Sequence, residues 1–262
     1  MLFGKRRKQA AAGGAPIPIA PETHRLLAHA QAYAAQTAGA WDITIGPLSR
    51  LWRKATTEAR VPQSEEVEAA RTLVDWRKLE ITPDGHARLA APGMSIDPGG
   101  AVKGLALDEV RRIFAAHHIE NGLISLGEST LCAIGESPAH RPWQIALRHP
   151  RQAPPARLGV LSLTGAVLST SGDYEHFFIA EGRRYHHLID ARTGWPADTG
   201  IVGAVLSLPS ADPDAGLASD LLSTALFLLG EDGAALLPDG ASALLIAADG
   251  TVTALGTPLS LK

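Results

Sequence analysis

The amino-acid sequence predicts an α+β fold in which mixed or antiparallel sheets pack against helices. Short apolar runs separated by Gly-containing turns follow one another through residues 122–134 and 158–190, as in antiparallel sheets. Segments with helical spacing interrupt these runs at a few places only, so the pattern lacks the strict strand–helix alternation of a parallel α/β sheet. A hydrophobic content of 45% and a charged content of 19% are typical of a globular protein.

The first third of the chain contains two helical patterns and one hairpin pattern. Apolar residues recur at helical spacing through residues 21–38, and Gly39 then supplies the C-cap. Residues 63–76 begin with glutamates and continue with the same spacing, which predicts a second helix. Two short alternating runs joined by Pro83-Asp84-Gly85 predict a hairpin.

The remaining elements are predicted mainly as strands, with two further helices. A strand end and a Gly-rich turn lead into a helix before residue 120, and a buried strand pair follows. One strand from Trp143, three or four strands over 158–190 and one strand near 203–210 come next. Asp212 is expected to cap the last helix, with Pro213 at its first position, before a final hairpin around Asp249-Gly250.

Composition excludes several classes of protein. The net charge of −3 argues against a general nucleic-acid binder. The sequence contains no run of 18 apolar residues, so no transmembrane helix is predicted. Cys132 is the only cysteine, which excludes an intrachain disulfide and a cysteine metal cluster. Residues 1–15 are predicted to be a disordered basic tail without the apolar segment of a signal peptide, and residues 16–262 a folded domain.

Asp220 and Thr224 are the most informative pair in the sequence. They lie four positions apart in the apolar segment GLASDLLSTALFLLG and therefore project from the same face of a helix. Carboxylate and hydroxyl oxygens suit Mg²⁺, and a metal would partner polar groups that are costly to bury alone. The simpler alternative is that Thr224 bonds back to a carbonyl one turn earlier and that Asp220 interacts with the helix dipole.

Four other segments carry candidate chemistry, each with a simpler alternative. Residues 96–104 combine three glycines with Lys103 and form an anion site or a tight connection. Residues 169–178 form a polar turn, and residues 40–52 offer tryptophans that stack on a ligand or fill a core. In residues 185–196, two adjacent histidines lie next to an acid and an arginine and suit acid–base chemistry, although only one of them can face a site because they lie on opposite sides of a strand. The simpler alternative is one solvated and one buried histidine.

Taken together and in this order, these segments resemble the ApbE family, the FAD:protein FMN transferases. The resemblance extends over about residues 20–262 and implies an ApbE-like, T-fold-like architecture. The matching motifs are WDITIGPLSRLW, IDPGGAVKGLALD, the stretch from Thr170 to Glu175, HHLIDARTGWP and ASDLLSTALFLLG.

The resemblance implies a role for individual residues of this chain. It implies that Mg²⁺ is held by Asp220, Thr224 and the backbone carbonyl of Gly100. It also places His187, with Asp220, at the reaction centre. The residues that it assigns to the flavin nucleotide are Ala40, Trp41, Asp42, Asp97, Lys103 and Ile189.

The activity implied by the resemblance is Mg²⁺-dependent transfer of the FMN part of FAD to a Ser or Thr hydroxyl of a target flavoprotein, with release of AMP. The alternatives are a non-catalytic flavin or metal binder and a pyrophosphatase that converts FAD to FMN and AMP. Family members usually carry a further N-terminal segment with a Met-Gly-Thr strand, so either the start of this sequence is misplaced or the chain is expected to be a shortened member. The sequence as written has no export signal, which corresponds to the cytoplasm, whereas family members are often periplasmic or membrane-anchored lipoproteins; the sequence therefore assigns no compartment.

Overall fold

Helices and antiparallel strands alternate irregularly along the chain, which confirms the predicted α+β class. A computed structural model describes residues 12–152, 156–259 and 261–262. The α-helices are α1 Pro21–Gln36, α2 Gly46–Glu58, α3 Ser64–Arg71, α4 Val102–Ala116 and α5 Ala215–Leu229, with 3-10 turns at Trp76–Lys78 and Gly230–Leu236. The strands are β1 Ile17–Pro18, β2 Leu79–Thr82, β3 His86–Leu89, β4 Gly122–Leu126, β5 Thr130–Ile134, β6 Trp143–Arg148, β7 Arg157–Leu163, β8 Ala166–Gly172, β9 Phe177–Ala180, β10 Arg183–His186, β11 Ile201–Pro209, β12 Ser242–Ala247 and β13 Val252–Gly256.

The chain divides into two compact units, each built from two separate stretches of sequence. The first unit combines the chain up to Pro98 with His176–Ala197, and the second combines Gly99–Glu175 with Asp198–Lys262. The first eleven residues of the predicted basic tail lie outside the described residues, so that prediction stays a prediction. Within the described ranges, none of the helices has the length and apolar character needed to cross a membrane.

An aromatic cluster organises the first unit. Trp52 on α2 stacks on Tyr185 at 5.8 Å between ring centroids and meets the edge of Trp195 at 5.4 Å. Its indole N–H donates to the carbonyl of Gly194 at 2.9 Å, so a buried polar atom is satisfied. This contact fixes the segment after the β9–β10 hairpin against α2. The other sheet of this unit has the strand order β1-β3-β2.

The second unit is built on a six-stranded antiparallel sheet with the strand order β13-β12-β11-β8-β5-β4. Side chains alternate between its two faces. On one face, Leu131, Leu168 and Val205 pack with the β6–β7 hairpin in an apolar core. On the other face, β8 and β11 contact α5, which is buried along almost its whole length. The candidate metal ligands lie on this helix.

Three predicted helix limits need correction. Helix α1 ends at Gln36 because Ala38 and Gly39 adopt positive φ angles of +49° and +81°, and the N–H of Gly39 closes the end on the carbonyl of Ala34. The second helix stops at Arg71 and is followed by a separate 3-10 turn. Helix α5 begins at Ala215, not at Pro213, because the Asp212 carboxylate accepts the Asp214 N–H in a turn that precedes the helix.

Helices α4 and α5 approach each other at two glycines. A Cβ placed on Gly104 would lie 2.1 Å from the carbonyl oxygen of Gly216, and a Cβ on Gly216 would lie 2.6 Å from the carbonyl oxygen of Gly104. A side chain at either position would therefore force the backbones of α4 and α5 apart. The close approach allows the N–H of Gly104 to reach a side chain on α5.

Replacing Gly104 by alanine tests this packing. Intrinsic helix propensity alone favours alanine by about 1 kcal/mol, whereas the clash with backbone predicts a net loss of about 2–3 kcal/mol in the free energy of unfolding. The measurement is urea denaturation. Gly182→Ala is the control, because a Cβ added at Gly182 would have no neighbour within 4 Å, whereas its φ is +74°. We expect this variant to lose about 1 kcal/mol from backbone strain alone. Neutral or stabilising behaviour of Gly104→Ala would contradict the close contact.

Candidate active site

The Asp220 carboxylate is buried and hydrogen-bonded by three different elements of the second unit. Its Oδ1 accepts from the hydroxyls of Thr130 on β5 at 2.6 Å and Ser169 on β8 at 2.9 Å. Its Oδ2 accepts from the N–H of Gly104 on α4 at 2.6 Å. The side chain is therefore fixed by donors that carry no formal charge.

A row of hydroxyl groups connects β8 with α5 around this carboxylate. Ser169 contacts the hydroxyl of Ser219 at 2.7 Å, and Ser171 contacts those of Ser223 at 3.0 Å and Thr224 at 3.1 Å. Thr224 also donates to the carbonyl of Asp220 at 3.2 Å, as the simpler sequence interpretation expected. That hydrogen bond leaves oxygen lone pairs on Thr224, since a hydroxyl has one proton and two acceptor sites.

Sequence reasoning missed the contribution of β8. Residues 169–178 were expected to form a polar turn, but β8 extends through Gly172 and the turn begins after it. Ser169 and Ser171 alternate with Leu168 and Thr170, so both serines face α5. The period-two spacing of these serines was the signal that could have identified them.

Electrostatics at Asp220 are dominated by burial. Removal from water raises the pKa of this carboxyl, while the hydrogen bonds from Thr130, Gly104 and Ser169 and the nearby charge of Lys103 act in the opposite direction. The Lys103 ammonium donates to the hydroxyl of Ser129 on the β4–β5 turn. Gly100 lies in the turn that precedes α4. The second unit therefore brings Asp220 together with Thr224 and Lys103.

The donor set fits a hard cation. Asp220 accepts three hydrogen bonds, whereas a carboxylate has about four lone-pair positions, so acceptor capacity remains on Oδ2. Within the described ranges, no group of three or more His, Cys, Asp or Glu side chains is arranged to hold a metal. A cation here would depend on hydroxyl, carbonyl and carboxylate oxygens, which are the ligands that Mg²⁺ prefers.

Asp42 is a second buried carboxylate, in the first unit. Its Oδ1 accepts from the N–H and the hydroxyl of Thr44 at 2.7 and 2.8 Å, and its Oδ2 accepts from the N–H of Trp76 at 2.8 Å. Burial raises the pKa of Asp42 against these hydrogen bonds. The carboxylate thus joins the segment before α2 to the 3-10 turn that begins at Trp76.

Backbone hydrogen bonds bring together the other predicted flavin contacts of the first unit. The N–H of Asp97 donates to the carbonyl of Ile43 at 2.8 Å, and the N–H of Ala191 donates to the carbonyl of Ala40 at 3.1 Å. Trp41 and Ile189 are buried with them. The Asp97 carboxylate is partly exposed and pairs with Arg53 at 2.9 Å.

The two adjacent histidines differ in exposure, as their alternation predicts. His186 is buried; its Nε2 lies 3.1 Å from the carbonyl of Ala197, and its Nδ1 accepts from the N–H of Leu188. His187 is exposed, and its Nδ1 lies 3.3 Å from the carbonyl of His176. Because a carbonyl only accepts, these contacts assign the proton to Nε2 of His186 and to Nδ1 of His187. The lone pair of His187 is then on Nε2.

Comparison with known proteins places these residues in a family. The model of the ApbE family matches residues 6–256, which is most of the chain. The chain belongs to the ApbE family. The resemblance predicted from the sequence motifs is therefore confirmed.

Two relatives and one solved structure agree with this membership. The chain is 32% identical to the FAD:protein FMN transferase of Treponema pallidum (strain Nichols), over 94% of this chain and 71% of that protein. It is 33% identical to the FAD:protein FMN transferase of Klebsiella pneumoniae (strain 342), over 87% and 69%. The ApbE protein of Thermotoga maritima superposes with a TM-score of 0.83 at 29% identity, over 96% of this chain and 81% of that chain.

These matches confirm the enzyme class and the fold that the sequence predicts. Both curated relatives are named as FAD:protein FMN transferases, and the solved ApbE structure has the same fold. The roles of the individual ApbE motif residues in this chain stay predictions, and the structure supplies the contacts from which they can be argued.

Asp42→Ala tests whether this motif residue has a structural role of its own. We expect a loss of about 2–4 kcal/mol in the free energy of unfolding without added flavin, because the donors of Thr44 and Trp76 would lose their acceptor. Urea denaturation measures this, with Asp239→Ala as control, since the Asp239 side chain is exposed and its loss should change stability by no more than about 0.5 kcal/mol. Equal stability of the two variants would show that the hydrogen bonds of Asp42 do not hold the fold.

Proposed function

We propose that this chain is a Mg²⁺-dependent transferase that moves the FMN part of FAD to a Ser or Thr hydroxyl of a target flavoprotein and releases AMP. The observation that carries the proposal is the Asp220 carboxylate, buried among neutral donors with Lys103 as the nearby positive charge. A buried carboxylate that has no ion pair is costly, and a bound divalent cation would offset that cost. The names of the ApbE relatives supply the reaction class.

In the proposed reaction, the acceptor hydroxyl oxygen attacks the phosphorus on the FMN side of the FAD pyrophosphate. A new P–O bond forms to the acceptor, the bond between this phosphorus and the bridging oxygen breaks, and AMP leaves with the electron pair. Mg²⁺ held by Asp220, Thr224 and the Gly100 carbonyl would neutralise charge that develops on the phosphate oxygens. Lys103 contributes a second positive charge to the same phosphates.

His187 is proposed as the base that takes the proton of the acceptor hydroxyl. The proton on its Nδ1 leaves the Nε2 lone pair as the proton acceptor, and the contact with the carbonyl of His176 orients the ring. The nucleotide is proposed to contact Ala40, Trp41, Asp42, Asp97, Lys103 and Ile189, the residues that match the ApbE motifs.

The two alternatives predict different products from the same assay. A pyrophosphatase would release FMN and AMP from FAD without modifying a protein. A non-catalytic binder would take up FAD or the metal and release nothing. The transferase releases AMP in amounts equal to the flavin attached to the acceptor.

Mixing the protein with FAD, Mg²⁺ and a flavoprotein acceptor tests the proposal, with in-gel flavin fluorescence and AMP measured together. We expect AMP and labelled acceptor in equal amounts for the wild type, and none after removal of Mg²⁺ with a chelator. Asp220→Asn should lower the rate by about 100-fold or more, since it removes the only charged metal ligand.

Asp239→Asn is the matched control, because this carboxylate is exposed and lies in the loop before β12. It should leave the rate unchanged. Full activity of Asp220→Asn, or of the wild type without divalent metal, would refute the metal-dependent mechanism. AMP without labelled acceptor would favour the pyrophosphatase instead.

His187→Ala tests the proposed base. We expect the transfer rate to fall by roughly 10²–10⁴-fold with little change in FAD affinity, because proton removal is affected and binding is not. His117→Ala is the control at another exposed histidine. A variant with the wild-type transfer rate would exclude His187 as the base.

A further inference from the structure

Asp108 is a fully buried carboxylate on α4 that receives hydrogen bonds from the start of α5. Its Oδ1 accepts from the N–H of Gly216 at 2.8 Å, and its Oδ2 accepts from the N–H of Leu217 at 2.9 Å. These N–H groups belong to the first turn of α5, where a helix has no internal partners for them. A carboxylate there is also favoured by the helix dipole.

Arg111 completes this arrangement, one turn further along α4. Its guanidinium donates to Oδ1 of Asp108 at 2.6 Å and, through its other terminal nitrogen, to the backbone carbonyls of Ser210 and Asp212. The side chain of Arg111 is only 12% exposed. The pair therefore joins α4 both to the first turn of α5 and to the segment that leads into it.

The same two helices are joined again at Asp220. Gly104 on α4 donates to the Asp220 carboxylate, and Asp108, one turn later on α4, accepts from the first turn of α5. The direction of the hydrogen bonds is opposite at the two points. Gly216 and Asp220 are four residues apart, which is about one turn of α5. Hydrogen bonds to α4 at both residues therefore fix the position of this turn of α5 along α4 and its rotation about its own axis.

We propose that Asp108 is a positioning residue for Asp220 and Thr224, which acts through the first turn of α5 and contacts neither the cation nor FAD. Loss of its hydrogen bonds would let the first turn of α5 shift along α4. The Asp220 carboxylate would then lose its register with the Gly104 N–H. This inference rests on the proposed cation site, and it assigns a function to the carboxylate that ends the IDPGGAVKGLALD segment.

Asp108→Asn tests the proposal, because the amide keeps one acceptor but presents an N–H₂ to a second backbone donor. Cation affinity is measured with Mn²⁺ as the probe, by the loss of the electron paramagnetic resonance signal of the free ion. We expect affinity to fall by about tenfold or more, as for groups that orient metal ligands. In metal-free protein, the amides of residues 220–224 should exchange hydrogen about tenfold faster, as expected for a loosened segment.

Val205→Ala separates positioning from stability. Val205 lies in the apolar core on the opposite face of the sheet from α5, and its truncation should destabilise the protein to a similar extent. We expect this variant to keep the wild-type Mn²⁺ affinity. The ratio of the hydrogen-exchange rates of residues 220–224 to those of the rest of the second unit should also stay as in the wild type. Equal losses in the two variants would overturn the proposal and leave Asp108 with a general stabilising role.

Two further outcomes are distinguishable. If Asp108→Asn does not fold, Arg111→Lys is measured instead. It keeps the charge but loses one arm of the guanidinium, and we expect a smaller loss of Mn²⁺ affinity in the same direction. If the wild type itself does not bind Mn²⁺, the proposed function fails, and hydrogen exchange in the metal-free protein still decides the inference: unchanged exchange at residues 220–224 in Asp108→Asn would overturn it.

Discussion

The hydrogen bonds to the Asp220 carboxylate determine how the second unit is assembled. Thr130, Ser169 and Gly104 come from β5, β8 and α4, and each must reach the same buried group on α5. A buried charge is tolerated only when its geometry is well satisfied. The register of β8 against β5, where Thr130 pairs with Ser169, places the two hydroxyls side by side. The register of β5 against β8 and the packing of α4 against α5 therefore both serve to place donors around the Asp220 carboxylate.

The glycines of this unit follow from the same requirement. A backbone N–H can donate to Asp220 only if α4 and α5 nearly touch, which excludes a Cβ at Gly104 and at Gly216. Glycine inside a helix normally lowers its stability by about 1 kcal/mol relative to alanine. Glycine is nevertheless present at both positions because a larger residue at either one would move the N–H of Gly104 away from the Asp220 carboxylate.

Much of this architecture could be predicted from local patterns, and the remainder depended on contacts far apart in the sequence. The hairpin at Pro83-Asp84-Gly85 was predictable because turn chemistry is local. The Asp220–Thr224 pair was identifiable from its spacing on an apolar helix. The partnership of Thr130 and Ser169 with Asp220 was not, because it depends on a strand pairing that no single segment encodes. Likewise, α1 ends earlier than predicted because Ala38 adopts a φ of +49° ahead of Gly39, a conformation that alanine does not signal in a sequence.

The buried aspartates of the described residues fall into two groups by their partners. Asp108, Asp173 and Asp190 are each paired with an arginine, respectively Arg111, Arg151 and Arg192. Asp42 and Asp220 receive hydrogen bonds from hydroxyl and backbone N–H groups only.

A guanidinium satisfies a carboxylate and neutralises its charge, whereas neutral donors orient it and leave the charge in place. The arginine-paired group therefore has the chemistry of structural links. The second group keeps an oriented negative charge that can hold a cation or a polar substrate group. These two residues are also the buried aspartates that the ApbE motifs assign to metal and flavin, so two independent arguments, one from partners and one from motifs, select the same carboxylates.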